Sequence, residues 1–141
     1  KESGAERERE RNMKALSSVL PNKVDTKEIN TPRIFQGVTI TDTRIGGGKE
    51  AKSGQKVSVN YIGKLKSNNI VFDSSKRPFS FRLGRGEVIR GWDIGVVGMR
   101  EGGKRRLQIP PEKAYGKTGA PPSIPGNAAL LFDITLLSIK S

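Results

Sequence analysis

Gly84-Arg85-Gly86-Glu87-Val88-Ile89-Arg90-Gly91-Trp92-Asp93, continued by Ile94-Gly95-Val96-Val97-Gly98-Met99, holds the chain's only tryptophan. Glycines punctuate it at both ends, and its second half is glycine-rich on one side and apolar on the other. Trp92, Val96 and Met99 recur at i, i+4 and i+7, which predicts one short helix lying on a sheet. Ile89, three residues before Trp92, extends the apolar surface to the helix start. The indole then has two readings: a core anchor beneath a packed helix, or the floor of an open apolar pocket.

Outward from this helix the pattern changes to period two. It begins at Ile34, with Val38 and Ile40 alternating with Thr39 and Thr41 until Gly46-Gly47-Gly48 breaks the strand. Val57, Val59 and Tyr61 make a second strand with one wet face. Ser67-Asn68-Asn69 is a turn, and Val71-Phe72-Asp73 resumes extended chain. Phe79, Phe81 and Leu83 alternate ahead of the helix. Beyond it Gly102-Gly103 turns the chain back, Leu107 and Ile109 lie two apart, and Pro110-Pro111 closes that strand. Leu130, Phe132, Ile134 and Leu136 face inward on the last strand. The expected fold is α+β: a five- to six-stranded antiparallel sheet wrapped around one short helix. The Gly- and Pro-rich loop from Ala114 to Asn127 is long for a compact domain, which marks it as a candidate site wall.

The 141 residues suit one domain plus a tail, and a start at Lys1 reads as part of something longer. Hydrophobic residues make up 33% and mean hydropathy is −0.52, a deficit concentrated in the first third. Residues 1–33 open with alternating Glu and Arg (Glu6 to Arg11), and Met13, Leu16 and Leu20 suit one brief amphipathic turn before Pro21. This segment reads as a charged flexible linker, with a docking tail for an acidic partner as the alternative. No apolar run exceeds Ala128 to Phe132, far short of the ~20 residues that span a bilayer.

The chain has no Cys and no His. Disulfides, Cys/His zinc sites and Ser-His or Cys-His nucleophiles are thereby excluded. So is the side chain whose unperturbed pKa lies nearest neutrality, and an enzyme so composed is not expected to work by moving protons at pH 7. Absence of Cys fits a reducing compartment. Net charge is +12; residues 37–141 hold 18 Lys and Arg against 8 Asp and Glu, leaving +10 on the folded part. Such a field favours polyanions or acidic segments as neighbours.

Gly98-Met99-Arg100-Glu101-Gly102-Gly103-Lys104 matches most of a phosphate-binding loop. Arg105 stands where Ser or Thr would hold Mg²⁺, and helix and strand flank it in reversed order. Asp73, Glu87 and Asp93 read as hydrogen-bonding groups rather than an acid/base pair. Lys104-Arg105-Arg106 reads as part of a solvated, charged sheet face, with a nucleic-acid face shared with Arg82, Arg85 and Arg90 as the alternative.

Val59-Asn60-Tyr61-Ile62-Gly63, Phe72-Asp73-Ser74-Ser75, Pro78-Phe79-Ser80-Phe81 and Gly86 to Asp93 resemble the FKBP family of peptidyl-prolyl isomerases. So do Ala114-Tyr115-Gly116, Ile124-Pro125 and Leu131-Phe132-Asp133, in unbroken order over about residues 37–141. The resemblance implies an isomerase domain over 34–141, needing no metal or cofactor, with an apolar pocket between sheet and helix. Trp92 would be its floor. Tyr61, Phe72, Phe79, Val88, Ile89 and Phe132 would be its walls, with Tyr115 and Ile124 added by the long loop. Asp73 and the Tyr115 hydroxyl would supply side-chain hydrogen bonds, and the Ile89 N–H and Glu87 carbonyl would hold a substrate-like chain.

Proline-containing protein segments are the implied substrates, and macrolides such as rapamycin the implied inhibitors. Two departures bear on drug affinity and substrate preference. Only Lys76-Arg77-Pro78 separates Ser75 from Phe79, leaving the pocket aspartate without its usual bracing arginine, and Ala120 and Ser123 replace larger residues. Tyr61-Ile62-Gly63-Lys64-Leu65, Gly98-Met99 and Gly102-Gly103-Lys104-Arg105 look most like nuclear and nucleolar members, which implies a nuclear or nucleolar domain acting on histones, with the cytoplasm as the alternative place; a monomeric domain is expected. The competing role is a chaperone module that binds chromatin, histone or nucleic acid, with isomerisation secondary.

Overall fold

The computed structural model describes residues 29–140, so the tail expected over 1–33 falls almost wholly outside the described residues. Seven antiparallel strands form one sheet: β1 (Arg33–Phe35), β2 (Val38–Arg44), β3 (Lys56–Leu65), β4 (Val71–Ser74), β5 (Phe79–Arg82), β6 (Lys104–Ile109) and β7 (Leu130–Lys140). Their order across the sheet is β1-β2-β6-β7-β3-β4, with β5 also on β3. The α+β class is as the alternation predicts, with seven strands rather than five or six. The short edge strand β1 pairs with β2 from Arg33↔Ile40 to Phe35↔Val38.

β3 and β7 pair over their whole lengths, from Lys56↔Lys140 to Leu65↔Leu130, with one bulge beside Val59. On its other edge β3 meets two short strands in succession: β5 along Lys56–Val59 and β4 along Ile62–Lys64. The Lys76–Pro78 loop bridges the gap between them. One face of the sheet is dry: Val38 and Ile40 of β2, Val57 and Val59 of β3, Leu107 and Ile109 of β6, and Leu130, Phe132, Ile134 and Leu136 of β7 are all buried. At roughly 1.5–3 kcal/mol for each large apolar side chain removed from water, this alternation drives the sheet's curl around what lies on it.

What lies on it is α1, Arg90–Gly95. The helix is shorter than the apolar period. Val96 and Met99 are buried as expected, but both lie beyond the last helical residue: a turn follows that ends at Gly98, whose φ is +92°, and Met99 comes after it. The glycine-rich side is the sheet-facing side. A Cβ on Gly91 would stand 2.5 Å from Ile109 Cγ2, and one on Gly95 would stand 2.6 Å from Leu107 Cδ1. Bare backbone lets the helix settle directly on β6.

Arg105 corrects the expectation of three solvated basic residues. It is 1% exposed and points inward with Leu107 and Ile109, while Lys104 and Arg106 face out. Its Nε donates to Asp42 Oδ1 at 2.8 Å and its NH2 to Asp42 Oδ2 at 3.2 Å. Its NH1 donates to the Gly95 and Val97 carbonyls at 2.7 and 3.0 Å. Burial pulls the guanidinium below its ordinary range, and the Asp42 carboxylate opposes that pull. Of the residues in the alternative nucleic-acid face, Arg105 is thereby withdrawn from the surface. Arg82 donates to the Gly54 carbonyl from β5, and β7 and β3 separate that edge from Lys104 on β6. Among the described residues no helix is long and apolar enough to cross a membrane.

Candidate functional site

Where α1 leaves the dry face of the sheet partly uncovered, a cavity of about 200 Å³ opens. Seven segments of the chain wall it. β3 contributes Tyr61, β4 Phe72 and Asp73, β5 Phe79, and the turn before the helix Glu87, Val88 and Ile89. The remaining walls are Trp92 of α1, Tyr115 of the loop after β6, and Phe132 of β7. β3, β5 and β7 deliver their rings through the same alternation that builds the core, so pocket and core share one continuous aromatic layer.

Trp92 is 4% exposed and stands at the centre of that layer. Its ring centroid lies 5.0 Å from Tyr61, 5.2 Å from Phe132, 5.6 Å from Phe81 and 6.1 Å from Phe79. The Tyr61, Phe79 and Phe132 contacts are edge-to-face, the arrangement the ring quadrupoles favour. The surroundings are apolar enough that the indole Nε1–H meets no acceptor among the described residues. Gly63 supports the layer from behind, because a Cβ there would stand 2.7 Å from both Phe132 and Phe72. The motif that contains Gly63 does not by itself show this role. A glycine inside a strand was the available signal of close approach.

The polar groups are few. The Tyr61 hydroxyl donates to Asp73 Oδ2 at 2.7 Å. Burial first, and then this hydrogen bond to a carboxylate, push the Tyr61 phenol up to about 12 from its ordinary 10.0. The backbone beneath is fixed by Ser75, whose N–H donates to the Tyr61 carbonyl and whose Oγ accepts from the Tyr61 N–H. Glu87 Oε1 accepts from the Arg82 N–H. Asp93 accepts from the Gly84 and Gly86 N–H groups, at 2.7 and 3.0 Å. Glu87, Asp93 and Asp73 thus act as acceptors that shape the pocket lip. Neither the Ile89 N–H nor the Glu87 carbonyl is engaged by another backbone group among the described residues, so both remain open to a bound chain.

Ile124 differs from the other ten residues expected here. It is 4% exposed and packs in the core beneath the long loop, bonded through its N–H and carbonyl to Ala120, and it does not line the cavity. From the loop, Tyr115 alone does. A larger concavity of about 610 Å³ opens elsewhere, among Thr43, Asn60, Lys76, Lys104, Arg106 and Asp133. It offers hydroxyls and charges but lacks the aromatic floor. Among the described residues no three His, Cys, Asp or Glu side chains gather to hold a metal ion. Chemically the aromatic cavity can desolvate a small apolar ring and offer its flanking peptide a few hydrogen bonds.

A family profile described as FKBP-type peptidyl-prolyl cis-trans isomerase matches residues 47–137. An FK506-binding protein 4 of Neurospora crassa is 56% identical over 116 residues, 81% of this chain and 24% of that protein. The 39 kDa FK506-binding nuclear protein of Drosophila melanogaster is 54% identical over 108 residues, 75% of this chain and 30% of that one. The chain therefore spans about a quarter of the length of the curated relatives it matches. Among solved structures, that of AtFKBP13 is 41% identical with a TM-score of 0.69, covering 81% of this chain and 98% of the other. A peptidyl-prolyl cis-trans isomerase of Pseudomonas syringae is 35% identical, also at 0.69, covering 75% and 77%.

Proposed function

The chain belongs to the FKBP-type peptidyl-prolyl cis-trans isomerase family, and from that premise we propose that it rotates X–Pro bonds of protein segments in the cavity over Trp92. What supports the proposal most is that Trp92, though almost wholly buried, lines a cavity of about 200 Å³ that its aromatic neighbours leave unfilled.

Amide resonance sets the barrier, roughly 18–20 kcal/mol. The planar amide is charge-separated and well solvated by water, whereas the half-rotated form is less polar. Moving the bond into a layer of Phe72, Phe79, Trp92 and Phe132 disfavours the planar form more than the twisted one, which is differential binding of the transition state. The Ile89 N–H and Glu87 carbonyl hold the flanking backbone while the ring turns, and Asp73, oriented by Tyr61, offers a fixed acceptor at the rim. No proton transfer is needed, in keeping with a chain that lacks His and Cys.

We extend the proposal to inhibition by FK506-type macrolides, which the names of the relatives support, and to a nuclear location, supported by the name of the Drosophila relative. Any histone engaged here would enter the pocket through a proline-containing segment. The +10 balance of residues 37–141 repels a basic tail from the domain surface at large. A coupled assay on a proline peptide tests the assignment. Phe72→Ala and Asp73→Leu are expected to lower kcat/KM tenfold or more, a loss of about 1.4 kcal/mol of transition-state binding per factor of ten, while circular dichroism is unchanged. Folded variants with wild-type rates, or rates insensitive to macrolide, count against it.

A further inference from the structure

β6 carries α1 along its length with three inward side chains in succession. Ile109 lies under Gly91, Leu107 lies under Gly95, and Arg105 donates to the Gly95 and Val97 carbonyls. The spacings match. Two strand residues advance about 6.7 Å and four helical residues about 6 Å, so each inward position of β6 meets the next turn of the chain. The first two contacts are apolar and can slide. The third is a planar fork held at both ends, which fixes direction as well as distance.

The other end of the fork is Asp42 on β2, the cross-strand partner of Arg105. Asp42 Oδ2 also accepts from Arg33 NH1 of β1 at 3.0 Å. Side-chain exposures of 18% for Arg33, 5% for Asp42 and 1% for Arg105 describe a network that runs inward from the sheet edge. A buried ion pair of this kind adds little net stability over well-packed apolar residues of similar volume. What it supplies that an apolar pair would not is a defined orientation for the carbonyl end of the helix. That helix bears the pocket floor three residues before Gly95.

We propose that Arg105 is a positioning residue for the pocket: anchored on Asp42 and through it on Arg33 of β1, it fixes the end of α1 and so the plane of the Trp92 indole. The inference rests on the isomerase reading for its effect on rate, but not for its effect on the indole. Strand β1, the first element described, is thereby coupled to the pocket through three side chains. A change that pulls on β1 reaches the indole through Asp42 and Arg105.

The 141-residue chain provides the test, because Trp92 is its only tryptophan and gives one indole N–H resonance. Arg105→Lys keeps the charge and loses the fork. Asp42→Leu combined with Arg105→Met removes both charges of the buried pair, and with them the carboxylate that Arg33 reaches. Both are expected to move or broaden the indole resonance and to lower kcat/KM on the order of tenfold, within the hundredfold that a 1 Å misplacement costs. Arg33→Met should act in the same direction, about threefold, through the network alone. Folded variants of lower stability with unmoved indole resonance and wild-type kcat/KM overturn the proposal, since a merely structural pair would behave so. If the core variants do not fold, Arg33→Met at the sheet edge decides it by the same two readouts. Should wild type lack isomerase activity, the isomerase reading fails, and the indole resonance still decides whether Arg105 positions the floor.

Discussion

Tyr61 meets both the indole and Asp73, and its phenol is held protonated by burial and by that carboxylate, with its pKa at about 12. The neutral phenol is the form the fold favours. Its contribution to stability is therefore fully present below the ordinary value near 10 and is lost as pH rises toward 12. The denaturation midpoint should fall between pH 10 and 12, and less so in Tyr61→Phe. With no His in the chain, kcat/KM should be flat from pH 6 to 8. A rate that titrates near pH 7 would contradict a mechanism without proton transfer. At this scale the aromatic walls were legible through their motifs, because alternation on each strand fixes which rings point inward. Gly63 was not, since its role depends on Phe72 and Phe132 arriving from two other strands. The inward aim of Arg105 was legible in principle. Leu107 and Ile109 face in, so the residue two before them must as well, and only the run of three basic residues argued otherwise.

For the elements, the contact of α1 with β6 is the tightest constraint on the site. Gly95→Ala would drive a Cβ into Leu107, a strand residue with no exposed surface into which to move. Overpacking of this kind costs about 1–3 kcal/mol. The urea midpoint should drop accordingly, and the double change Gly95→Ala with Leu107→Val should recover part of the loss. A single Ala variant as stable as wild type would mean that helix and strand do not meet this closely. The helix start was legible from Trp92 and its glycines. The end was not, because Val96 and Met99 remain buried beyond the helix and keep the apolar period running past the last helical residue. β1 escaped a full reading because its two-residue connection to β2 is Gln36-Gly37, with φ of 50° and 86°. That backbone usually announces itself as Asn-Gly.

Across the whole molecule, charge is distributed unequally between interior and surface. Asp42, Asp73, Glu87, Asp93 and Glu101 direct their carboxylates to internal donors. Only Arg100–Glu50 and Arg106–Asp133 form ion pairs nearer solvent among the described residues. The remaining cations repel one another. Raising salt from 0.01 to 0.15 M shortens the screening length from ~30 to ~8 Å and should raise the denaturation midpoint. A fall would mean that surface pairs outweigh the repulsion. The order of motifs along the chain made the architecture legible at this scale. The course of the long loop was not, since Ile124 turns into the core and leaves only Tyr115 at the cavity.

Everything above depends on a proline ring seated over Trp92 having its peptide bond rotated there. Two-dimensional exchange spectroscopy on a proline peptide, with the chain at a few per cent of the peptide concentration, tests it most directly. Cis–trans cross-peaks are expected within a second of mixing, far faster than the tens to hundreds of seconds of the uncatalysed bond, and are expected to disappear in Phe72→Ala. Peptide that binds, shifting the single indole resonance, yet shows no exchange cross-peaks would contradict it.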